Sequence, residues 1–546
     1  MPPSNVAIHY VPAGYETKGP KLMGRMAAGE AFLDAYLRHA GVERFYCYAQ
    51  ERKAAEQFAA EAQGRGTTPV EWIPWSNPAG LAMPGALYIP DPSLHDHAWR
   101  RRGRDQRAYS LTGITHTTAS SGAMDMIAEF ALAPVQEWDA VICTAKTVRI
   151  MVEALMDEQA AYLKDRLGAQ RVPRPQLPVI PLGVDCARFA PDPESRAAQR
   201  AALGIADDDI AFLFVGRLSF HAKAHPFPMY LALERAAQQT GKRLHLIQAG
   251  WFANDFIETA FRDGARDFCP SVTAHFLDAR TPEVRFPIWQ AADIFTSLSD
   301  NIQESFCLTV FEAMAAELPV IASNWDGYRD AIEHGINGVL VDSYMPAVSL
   351  ADLAFRHLSG ADSYDSYIGA VSQFCLVNVE QTAHWITTLA ADPVLRRKLG
   401  GAARRSVMKT YDWAAVLPRM QALWGDQLAL LNKERAAGPR PSIAWRNYDP
   451  ALTFAGFPSH RVHGDTRLVR GPHFEFWEEL VKMPGTVVNP HVLVRAADFA
   501  ALRSAFADGQ PRTPDEVAKN FGEPIRPLVI RALHWLIKIG LLRFAA

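Results

Sequence analysis

Short apolar runs alternate with helical stretches along the first part of the chain. Because continuous apolar runs separated by helices are typical of parallel strands that are covered on both faces, this pattern predicts a doubly wound α/β domain. The predicted strands are residues 5–11, 44–49, 70–74, 86–90, 110–116 and 140–145.

The same pattern begins again after the proline-rich stretch 171–185. The predicted strands of this second series are residues 209–218, 243–250, 272–278, 293–299, 319–323 and 337–342. Two such domains in tandem leave a crevice between the carboxyl ends of their strands, where open α/β sheets bind ligands. We therefore predict an α/β fold with two Rossmann-like domains, over residues 1–186 and 187–410, that face a central cleft.

The apolar spacing becomes helical over residues 391–432, and we predict that residues 411–436 form a helix that packs back toward the first domain. A small, mainly helical domain is predicted to follow over residues 437–546. In it, Thr513, Pro514 and Glu516 have the spacing of a helix start with a capping box. Residues 525–544 place Arg531, His534 and Lys538 on one helix face, with Gly540 as the stop, and the whole resembles a winged-helix module.

The composition is that of an ordinary globular protein. Of the 546 residues, 49% are hydrophobic and 21% charged, and the net charge is −3, so the total indicates no polyanionic partner. The amino terminus lacks the pattern of a signal peptide, and no apolar stretch is long enough to span a bilayer, so we expect a cytoplasmic protein. The six cysteines are scattered without a CxxC pair, which predicts reduced, buried thiols and no structural metal.

The charge of the last domain argues against nucleic-acid binding. Residues 437–546 carry fourteen Lys and Arg against ten Asp and Glu, too mild an excess for a basic recognition surface. We expect this domain to mediate homo-oligomer contacts or acceptor docking instead.

Two acidic residues lie in an otherwise apolar stretch near the end of a predicted strand. Glu304 precedes a helix that is predicted to start near Phe306, and Glu312 lies more than a turn inside it. The first amides of this helix, including those of Leu308 and Thr309, favour an anion such as a phosphate, whereas carboxylates accept hydrogen bonds from sugar hydroxyls. The implied ligand carries both groups. The alternative is that Glu304 only complements the helix dipole and that Glu312 is a solvated helix residue.

Two basic residues follow the first strand of the second domain. Arg217 leaves the end of that strand and Lys223 follows six residues later, where cations would hold a diphosphate. The alternative is a pair of solvated surface cations.

These residues carry a resemblance to a known family. VGRL (215–218) with Lys223, and ESFCLTVFEAMAAELPVIASNWDGYRDAIEHGINGVLV (304–341), resemble the retaining glycosyltransferases of glycosyltransferase family 4, relatives of glycogen and sucrose synthases with the GT-B fold. PLGVDCARFAP (181–191) is similar to that family's interdomain segment, and RRKLGGAARRSVMKTYDW (396–413) to its C-terminal helical region.

The resemblance implies a role for each matched residue. Glu304 would lie beside the donor sugar and Glu312 would bind the nucleotide ribose. Arg217 and Lys223 would neutralise the diphosphate, and the amides of Leu308 and Thr309 would bind its phosphates.

The remaining matches and departures also concern the predicted cleft. His116, after the strand at 110–116, resembles a histidine near the transferred sugar, and Gly24 resembles a glycine of the loop before the first helix. Phe306 and Cys307 complete the predicted donor-binding set; Cys307 stands where the family usually has Gly, which puts a side chain near the sugar. Glu317 also replaces a common Gly, and we expect it to affect only a helix end.

The reaction implied is transfer of a glycosyl group from a nucleoside diphosphate sugar to an unidentified glycan, lipid-linked or protein acceptor, as in polysaccharide or glycoconjugate biosynthesis. The resemblance implies retention of configuration. No residue of the family pattern is an evident nucleophile, so we expect the acceptor to attack the face from which the diphosphate leaves, without metal or cofactor. An epimerase or phosphorylase of the same fold, or a non-catalytic nucleotide-sugar-binding scaffold, remains as an alternative.

A cluster of arginines lies in the first domain outside the family pattern. It could receive an anionic acceptor or a membrane surface, although a solvated loop is the alternative. The HxH pair at 95–97 is a weak metal signal, and the acidic run 207–209 is typical of a turn. The arginines are Arg100, Arg101, Arg102, Arg104 and Arg107.

Overall fold

The computed structural model describes residues 3–16, 24–103, 105–306, 308–436, 449–483, 485 and 487–545. The chain divides into two units, Met1–Trp445 and Arg446–Ala546. Among the residues described, no helix is both long enough and apolar enough to cross a membrane.

The first domain is a six-stranded parallel sheet with helices on both faces. Its strand order is β3-β2-β1-β4-β5-β6, so the order reverses between β1 and β4. The strands are β1 (Ala7–His9), β2 (Phe45–Ala49), β3 (Val70–Pro74), β4 (Ala86–Tyr88), β5 (Ser110–Ile114) and β6 (Ala140–Ile142), and the helices are α1 (Gly24–His39), α2 (Arg52–Gln63), α3 (Leu94–Arg102), α4 (Ser121–Ala128) and α5 (Lys146–Leu167).

The second domain repeats this topology. Its parallel sheet has the order β12-β11-β10-β7-β8-β9, which reverses between β10 and β7. The strands are β7 (Ile210–Val215), β8 (Leu244–Gly250), β9 (Val272–Asp278), β10 (Ile294–Ser297), β11 (Val320–Ser323) and β12 (Val339–Val341), and the helices are α6 (Pro193–Leu203), α7 (Phe227–Thr240), α8 (Asp255–Phe268), α9 (Pro282–Arg285), α10 (Leu308–Ala315) and α11 (Tyr328–Ala331).

Every predicted strand is present, and the predicted fold class is confirmed. The strands are buried as predicted from their apolar runs; all residues of β7, β8, β10 and β11, for example, are buried. The sequence did not predict a small antiparallel pair with two helices between its strands. These elements are β13 (Ser343–Tyr344), α12 (Ala351–Leu358), α13 (Tyr364–Ser372) and β14 (Leu376–Val377).

Three helices complete the first unit: α14 (Val379–Ala391), α15 (Pro393–Thr410) and α16 (Trp413–Ala436). Helix α16 packs against α1 and β5 of the first domain. The buried side chain of Gln427 donates to the carbonyl oxygens of Leu111 (2.9 Å) and Trp138 (3.0 Å), and it accepts a hydrogen bond from the hydroxyl of Thr112 (2.7 Å). This helix therefore satisfies backbone groups of the first sheet.

The second unit has its own apolar core around Trp477, Leu502 and Leu533. The predicted capping box between Thr513 and Glu516 is present, and Gly540 has a left-handed φ of 77° just beyond the last helix. The winged-helix resemblance stays a prediction. The elements are α17 (Pro450–Thr453), β15 (Leu468–Arg470), α18 (Trp477–Lys482), α19 (Ala496–Ala505), α20 (Pro514–Ala518), α21 (Arg526–Lys538) and β16 (Leu542–Phe544), with β15 and β16 antiparallel.

Five of the six cysteines lie among the described residues, and these five are buried and free, as predicted. Burial raises the pKa of each thiol, that of Cys47 to about 12, so these groups stay protonated at neutral pH. The sixth, Cys307, lies outside the described residues, so the prediction that its side chain occupies space near a donor sugar is not addressed by the structure.

Glu317 ends α10 in a left-handed conformation, with a φ of 61°. The amide of Leu318 donates to the carbonyl of Ala313 (3.0 Å) and that of Glu317 to Met314 (3.1 Å), the two bonds of a Schellman motif. Glycine takes this conformation without strain, whereas other residues lose roughly 1–2 kcal/mol.

We expect Glu317→Gly to raise the free energy of unfolding by about 0.5–1 kcal/mol, because the relief of strain exceeds the added entropy of the unfolded chain. Glu317→Ala removes the same exposed carboxylate but keeps the β-carbon, so it should give no gain. Chemical denaturation of the three proteins checks this, and equal stability of the glycine and alanine variants would contradict it.

Candidate functional site

A cavity of about 480 Å³ lies between the two sheets of the first unit, at the carboxyl ends of their strands. The first domain contributes residues after β5 and β6 and at the start of α1, and the second contributes residues after β7, β8 and β10. The nine predicted site residues that the structure describes all line it: Gly24, His116, Arg217, Lys223, Glu304, Phe306, Leu308, Thr309 and Glu312.

Lys223 and Glu304 form an ion pair at the cavity wall. Their side chains are 20% and 10% exposed, so the pair is shielded from solvent on most sides. An ion pair in such surroundings is stronger than one at the surface, because solvent screens it less. The alternative that Lys223 is a solvated surface cation is therefore wrong.

The loop that carries Lys223 is fixed by the segment after β10. The hydroxyl of Ser299 donates to the carbonyl of Lys223 (3.1 Å), and the side-chain amides of Asn301 and Gln303 donate to the carbonyls of His221 (2.6 Å) and Ala222 (3.0 Å). The position of the lysine therefore depends on the same segment that carries Glu304.

Arg217 follows β7 and faces the same space. One of its Nη atoms donates to the carbonyl of Ala222 (3.3 Å). Burial lowers the pKa of its guanidinium, although the charges of Asp365 and Glu304 act in the opposite direction. An arginine remains protonated at neutral pH even so. Arg217 and Lys223 thus line the same cavity.

Close backbone packing sets the position of the strand ends. An added β-carbon at Gly250, the last residue of β8, would lie 1.9 Å from the carbonyl oxygen of Gly216. Only glycine at position 250 allows the residue before Arg217 to approach this closely.

Helix α10 begins at Leu308, and its first turn borders the cavity. The peptide dipoles of a helix add up, so that its amino-terminal end attracts an anion. Arg217, Lys223 and this helix end all line the cavity and favour negative charge there.

Glu312 lies in the middle of α10 and also lines the cavity. Burial raises the pKa of its carboxyl group, whereas the positive charges of Arg285 and Arg188 act to lower it. Among the described residues, none donates a hydrogen bond to this carboxylate. It is thus placed to accept hydrogen bonds from a ligand.

His116 follows β5 and its Nε2 lies 2.9 Å from the carbonyl oxygen of Pro90. Burial lowers the pKa of the imidazole, so the ring is neutral at neutral pH. Because a carbonyl only accepts, Nε2 carries the proton and Nδ1 is left as an acceptor. His116 is therefore suited to accept a hydrogen bond rather than to supply a charge.

Gly24 starts α1 at the cavity, and an added β-carbon there would meet no atom within 4 Å. The protein itself therefore does not require a glycine at this position, and the close approach predicted for it concerns the ligand alone. The sequence pattern did not point to three other cavity residues, Arg25, Thr144 and Arg285.

Two of the predicted anion-binding arginines have structural roles. Arg101 is fully buried and pairs with Asp139, and Arg107 donates to the carbonyl of Glu434 (3.2 Å). The idea that Arg101 contacts an acceptor or a membrane is therefore wrong, because its charge is already neutralised inside the domain. Arg104 lies outside the described residues, and Arg100 stacks on Trp75 at 4.3 Å.

The histidine pair of the first domain lies in ordinary side-chain packing, and the acidic run of the second domain lies in a turn. His97 is buried and its ring packs on that of His9 (4.8 Å), and the acidic run 207–209 forms a turn, as predicted. Within the described part of the chain, no group of three or more His, Cys, Asp or Glu side chains is arranged to hold a metal ion.

The two domains also touch beside the cavity. Thr147, in the first turn of α5, donates a hydrogen bond to the carboxyl of Asp326 in the second domain, and the amide of Lys146 donates to Asp330 (2.8 Å). Asp326 has a left-handed φ of 39°. Burial raises its pKa to about 7. The hydrogen bond from Thr147 and the charge of Arg329 oppose this effect, whereas the charges of Glu304 and Asp330 add to it.

This shifted pKa predicts a pH-dependent stability. The folded value of about 7 lies above the ordinary value of 3.8, so folding takes up a proton between these two pH values and the free energy of unfolding falls as pH rises through that window. Asp326→Asn should abolish this loss, because the amide is neutral and tolerates a left-handed φ. We expect the variant to match the parent at pH 4 and to exceed it by about 1–3 kcal/mol at pH 8.

Denaturant titrations across this range check the effect. Asp208→Asn is the control, because it removes an exposed carboxylate from a turn outside this contact between the domains. A parallel pH profile for Asp326→Asn and the parent would contradict the assignment.

The central part of the chain matches a known family. Residues 195–369 match the family model described as "Glycosyl transferases group 1", and this confirms the predicted resemblance over that segment. The second sheet domain therefore carries the sequence pattern of the glycosyl transferases of group 1.

Curated relatives match the same part of the chain. A D-inositol 3-phosphate glycosyltransferase of Geodermatophilus obscurus is 33% identical over 194 residues, which are 35% of this chain and 41% of that protein. Its counterpart in Thermobispora bispora is 31% identical over 221 residues, 37% of this chain and 50% of that protein. The chain thus spans at most about half the length of these relatives.

Two solved structures are among those that resemble this chain. The Anabaena protein HepE in complex with UDP and glucose has 14% identity and a TM-score of 0.49, with 77% of this chain and 100% of that chain covered. Sucrose-phosphate synthase from Thermosynechococcus elongatus has 16% identity and a TM-score of 0.46, with 80% and 100% covered.

Proposed function

We propose that this protein transfers a glycosyl group from a nucleoside diphosphate sugar to an acceptor, with retention of configuration and without a metal ion. The observation that carries the proposal is the meeting of Arg217, Lys223, the start of α10 and two carboxylates, Glu304 and Glu312, around one cavity. This set matches a ligand with a doubly charged phosphate segment and hydroxyl groups on either side of it.

The two cations and the helix end would bind the diphosphate. Negative charge grows on this group as its bond to the sugar breaks, so fixed positive charges stabilise the transition state more than the bound donor. Each cation at about 4 Å contributes roughly 4 kcal/mol near a protein surface before desolvation is subtracted. Protein charges of this size replace those that a divalent metal would otherwise provide, which is the reason to propose a metal-independent reaction.

The carboxylates and His116 would bind hydroxyl groups on the two sides of the diphosphate. Glu304, paired with Lys223, lies on the side of the transferred sugar, with Nδ1 of His116 as a further acceptor from the opposite domain. Glu312 would accept hydrogen bonds from the ribose, where Arg285 and Arg188 limit the cost of its buried charge.

The proposed chemistry requires no protein nucleophile. The acceptor attacks the face that the diphosphate leaves, and a phosphate oxygen takes the proton of the acceptor hydroxyl. Closure of the two domains around the donor would exclude water and so limit its hydrolysis. The acceptor is a glycan, a lipid-linked group or a protein.

A thermal-shift screen against nucleotide sugars tests the proposal most directly. A ligand at 100 times its Kd stabilises the folded state by about 2.7 kcal/mol, which a melting curve detects. We expect stabilisation by at least one of UDP-glucose, UDP-N-acetylglucosamine, GDP-mannose and ADP-glucose, and retention of that effect in EDTA. No stabilisation by any nucleotide sugar or nucleoside diphosphate would refute a donor site.

Product analysis with the stabilising donor then identifies the reaction. Sugars, glycerol and D-inositol 3-phosphate, the last taken from the names of the relatives, are suitable first acceptors. A new α- or β-glycoside with the anomeric configuration of the donor indicates a retaining transferase. An isomerised donor without acceptor indicates an epimerase, a sugar phosphate formed with inorganic phosphate indicates a phosphorylase, and binding without turnover indicates a scaffold.

A further inference from the structure

A segment of the second domain leaves the sheet after β12 and returns at the start of α14. We call residues 343–377 the excursion. Its two ends are joined by the antiparallel pairing of Ser343 with Val377, and the amide of Asn378 donates to the carbonyl of Asp342 (2.9 Å). The excursion is therefore an insertion with a fixed base, which carries α12 and α13.

Helix α13 packs against the loop that holds the two cations. An added β-carbon at Gly369 would lie 3.0 Å from the Cβ atom of His221, so this helix approaches the loop between Arg217 and Lys223 closely. The carboxylate of Asp365 lies 4.0 Å from Nε2 of His221. The excursion is thus in direct contact with the part of the site that favours an anion.

The first residue of α13, Tyr364, lines the cavity. Its hydroxyl is close to the side chain of Thr117 in the first domain, and the charge of Arg217 acts on it from the second. The hydroxyl oxygen is buried, yet no described group meets it with hydrogen-bond geometry. A buried hydroxyl without a partner is costly, so such groups are usually completed by a ligand or by water.

Burial also raises the pKa of this phenol, so it stays protonated and can donate. Arg217, whose charge acts on this phenol, lines the same cavity, where the proposed function puts the diphosphate. Hydrogen bonds from a neutral donor to an ionised acceptor are about twice as strong as those between neutral groups.

We propose that Tyr364 donates its phenolic hydrogen bond to the sugar-bearing phosphate of the donor, so that the excursion forms part of the donor site. This inference rests on the proposed function and adds a donor-binding residue that lies outside the two acidic and two basic residues of the sequence motif.

The test is isothermal titration of Tyr364→Phe and the parent with UMP, UDP and UDP-glucose, or with the same series on guanine or adenine if the thermal-shift screen selects that base. Only the second phosphate distinguishes UMP from UDP. We expect the variant to bind UDP and UDP-glucose at least about tenfold more weakly than the parent, with UMP binding unchanged. The melting temperature without ligand should not fall, because the variant loses only an unpartnered hydroxyl.

Tyr367→Phe is the matched control. It removes a phenolic hydroxyl from the same helix, where the ring stacks on His357 at 5.0 Å outside the cavity. This variant should bind all three nucleotides like the parent.

Three results would overturn the inference: unchanged UDP binding, an equal loss for UMP and UDP, or a loss confined to UDP-glucose, which would place the contact on the sugar. A parent protein that binds no nucleotide in any series would refute the proposed function itself, and this outcome is distinct from a variant that binds like its parent.

Discussion

Replacement of Lys223 by methionine is expected to lower kcat by about 10²–10³, with a much smaller change in KM. The methionine side chain keeps the apolar stem that packs near Gly216, 3.3 Å from an added β-carbon there, but it removes the charge. That charge stabilises the diphosphate most when the bond between sugar and phosphate breaks. In the free variant, Glu304 also loses its ion-pair partner.

Steady-state kinetics with the donor selected by the thermal-shift screen measures this effect. Lys242→Met is the control, because Lys242 is exposed in the loop before β8, whereas the cavity lies at the opposite, carboxyl end of that strand. Circular dichroism shows whether the Lys223 variant is folded. If its kcat stays within about threefold of the parent, the proposed role of Lys223 in the reaction is wrong.

Arg101→Met is expected to lower the free energy of unfolding by about 3–5 kcal/mol. The guanidinium forms two bonds with Asp139 (2.6 and 2.7 Å) and one with the carbonyl of Tyr109 (2.8 Å), and both charged side chains are 0% exposed. Removal of the cation leaves a buried carboxylate whose remaining hydrogen bonds come from the amides of Leu111 and Gln136.

Denaturant unfolding measures this loss, with Arg102→Met as the control because Arg102 is the next residue of α3 and is only partly buried. The control should change stability by less than about 1 kcal/mol. The double variant Arg101→Met, Asp139→Asn should recover part of the loss, because the asparagine is neutral and still accepts a hydrogen bond. Equal effects of the two arginine variants would mean that the buried pair does not stabilise the domain.

The sheet domains could be predicted because each strand has a continuous apolar run. β3 and β9 begin and end at the predicted residues, whereas β1 and β6 are shorter than their apolar runs. After β6, for example, residues 143–145 remain buried, although the ladder with β5 ends at Ile142 and Cys143 forms only an isolated bridge, with Val179. Apolar runs report burial, and strand ends depend on backbone partners that the run does not specify.

Residues of the candidate site could be predicted where a motif fixes both residue type and spacing. Arg217, Lys223, Glu304 and Glu312 were found in this way. Tyr364 was not, because it lies in an insertion with no strand pattern, and its relation to Arg217 depends on how α13 packs. The arginine cluster illustrates the converse, since a run of like charges does not reveal that Asp139, 38 positions after Arg101, neutralises one member inside the domain.

The return of α16 to the first sheet has a consequence for biosynthesis. Gln427 forms hydrogen bonds with groups that precede it by 289 to 316 positions. The ribosome therefore completes the entire second sheet before it adds Gln427. At about 5–20 residues per second, the nascent amino-terminal half would wait many seconds with polar groups of β5 unsatisfied. This interval is when the emerging polypeptide is most exposed to aggregation and most dependent on chaperones.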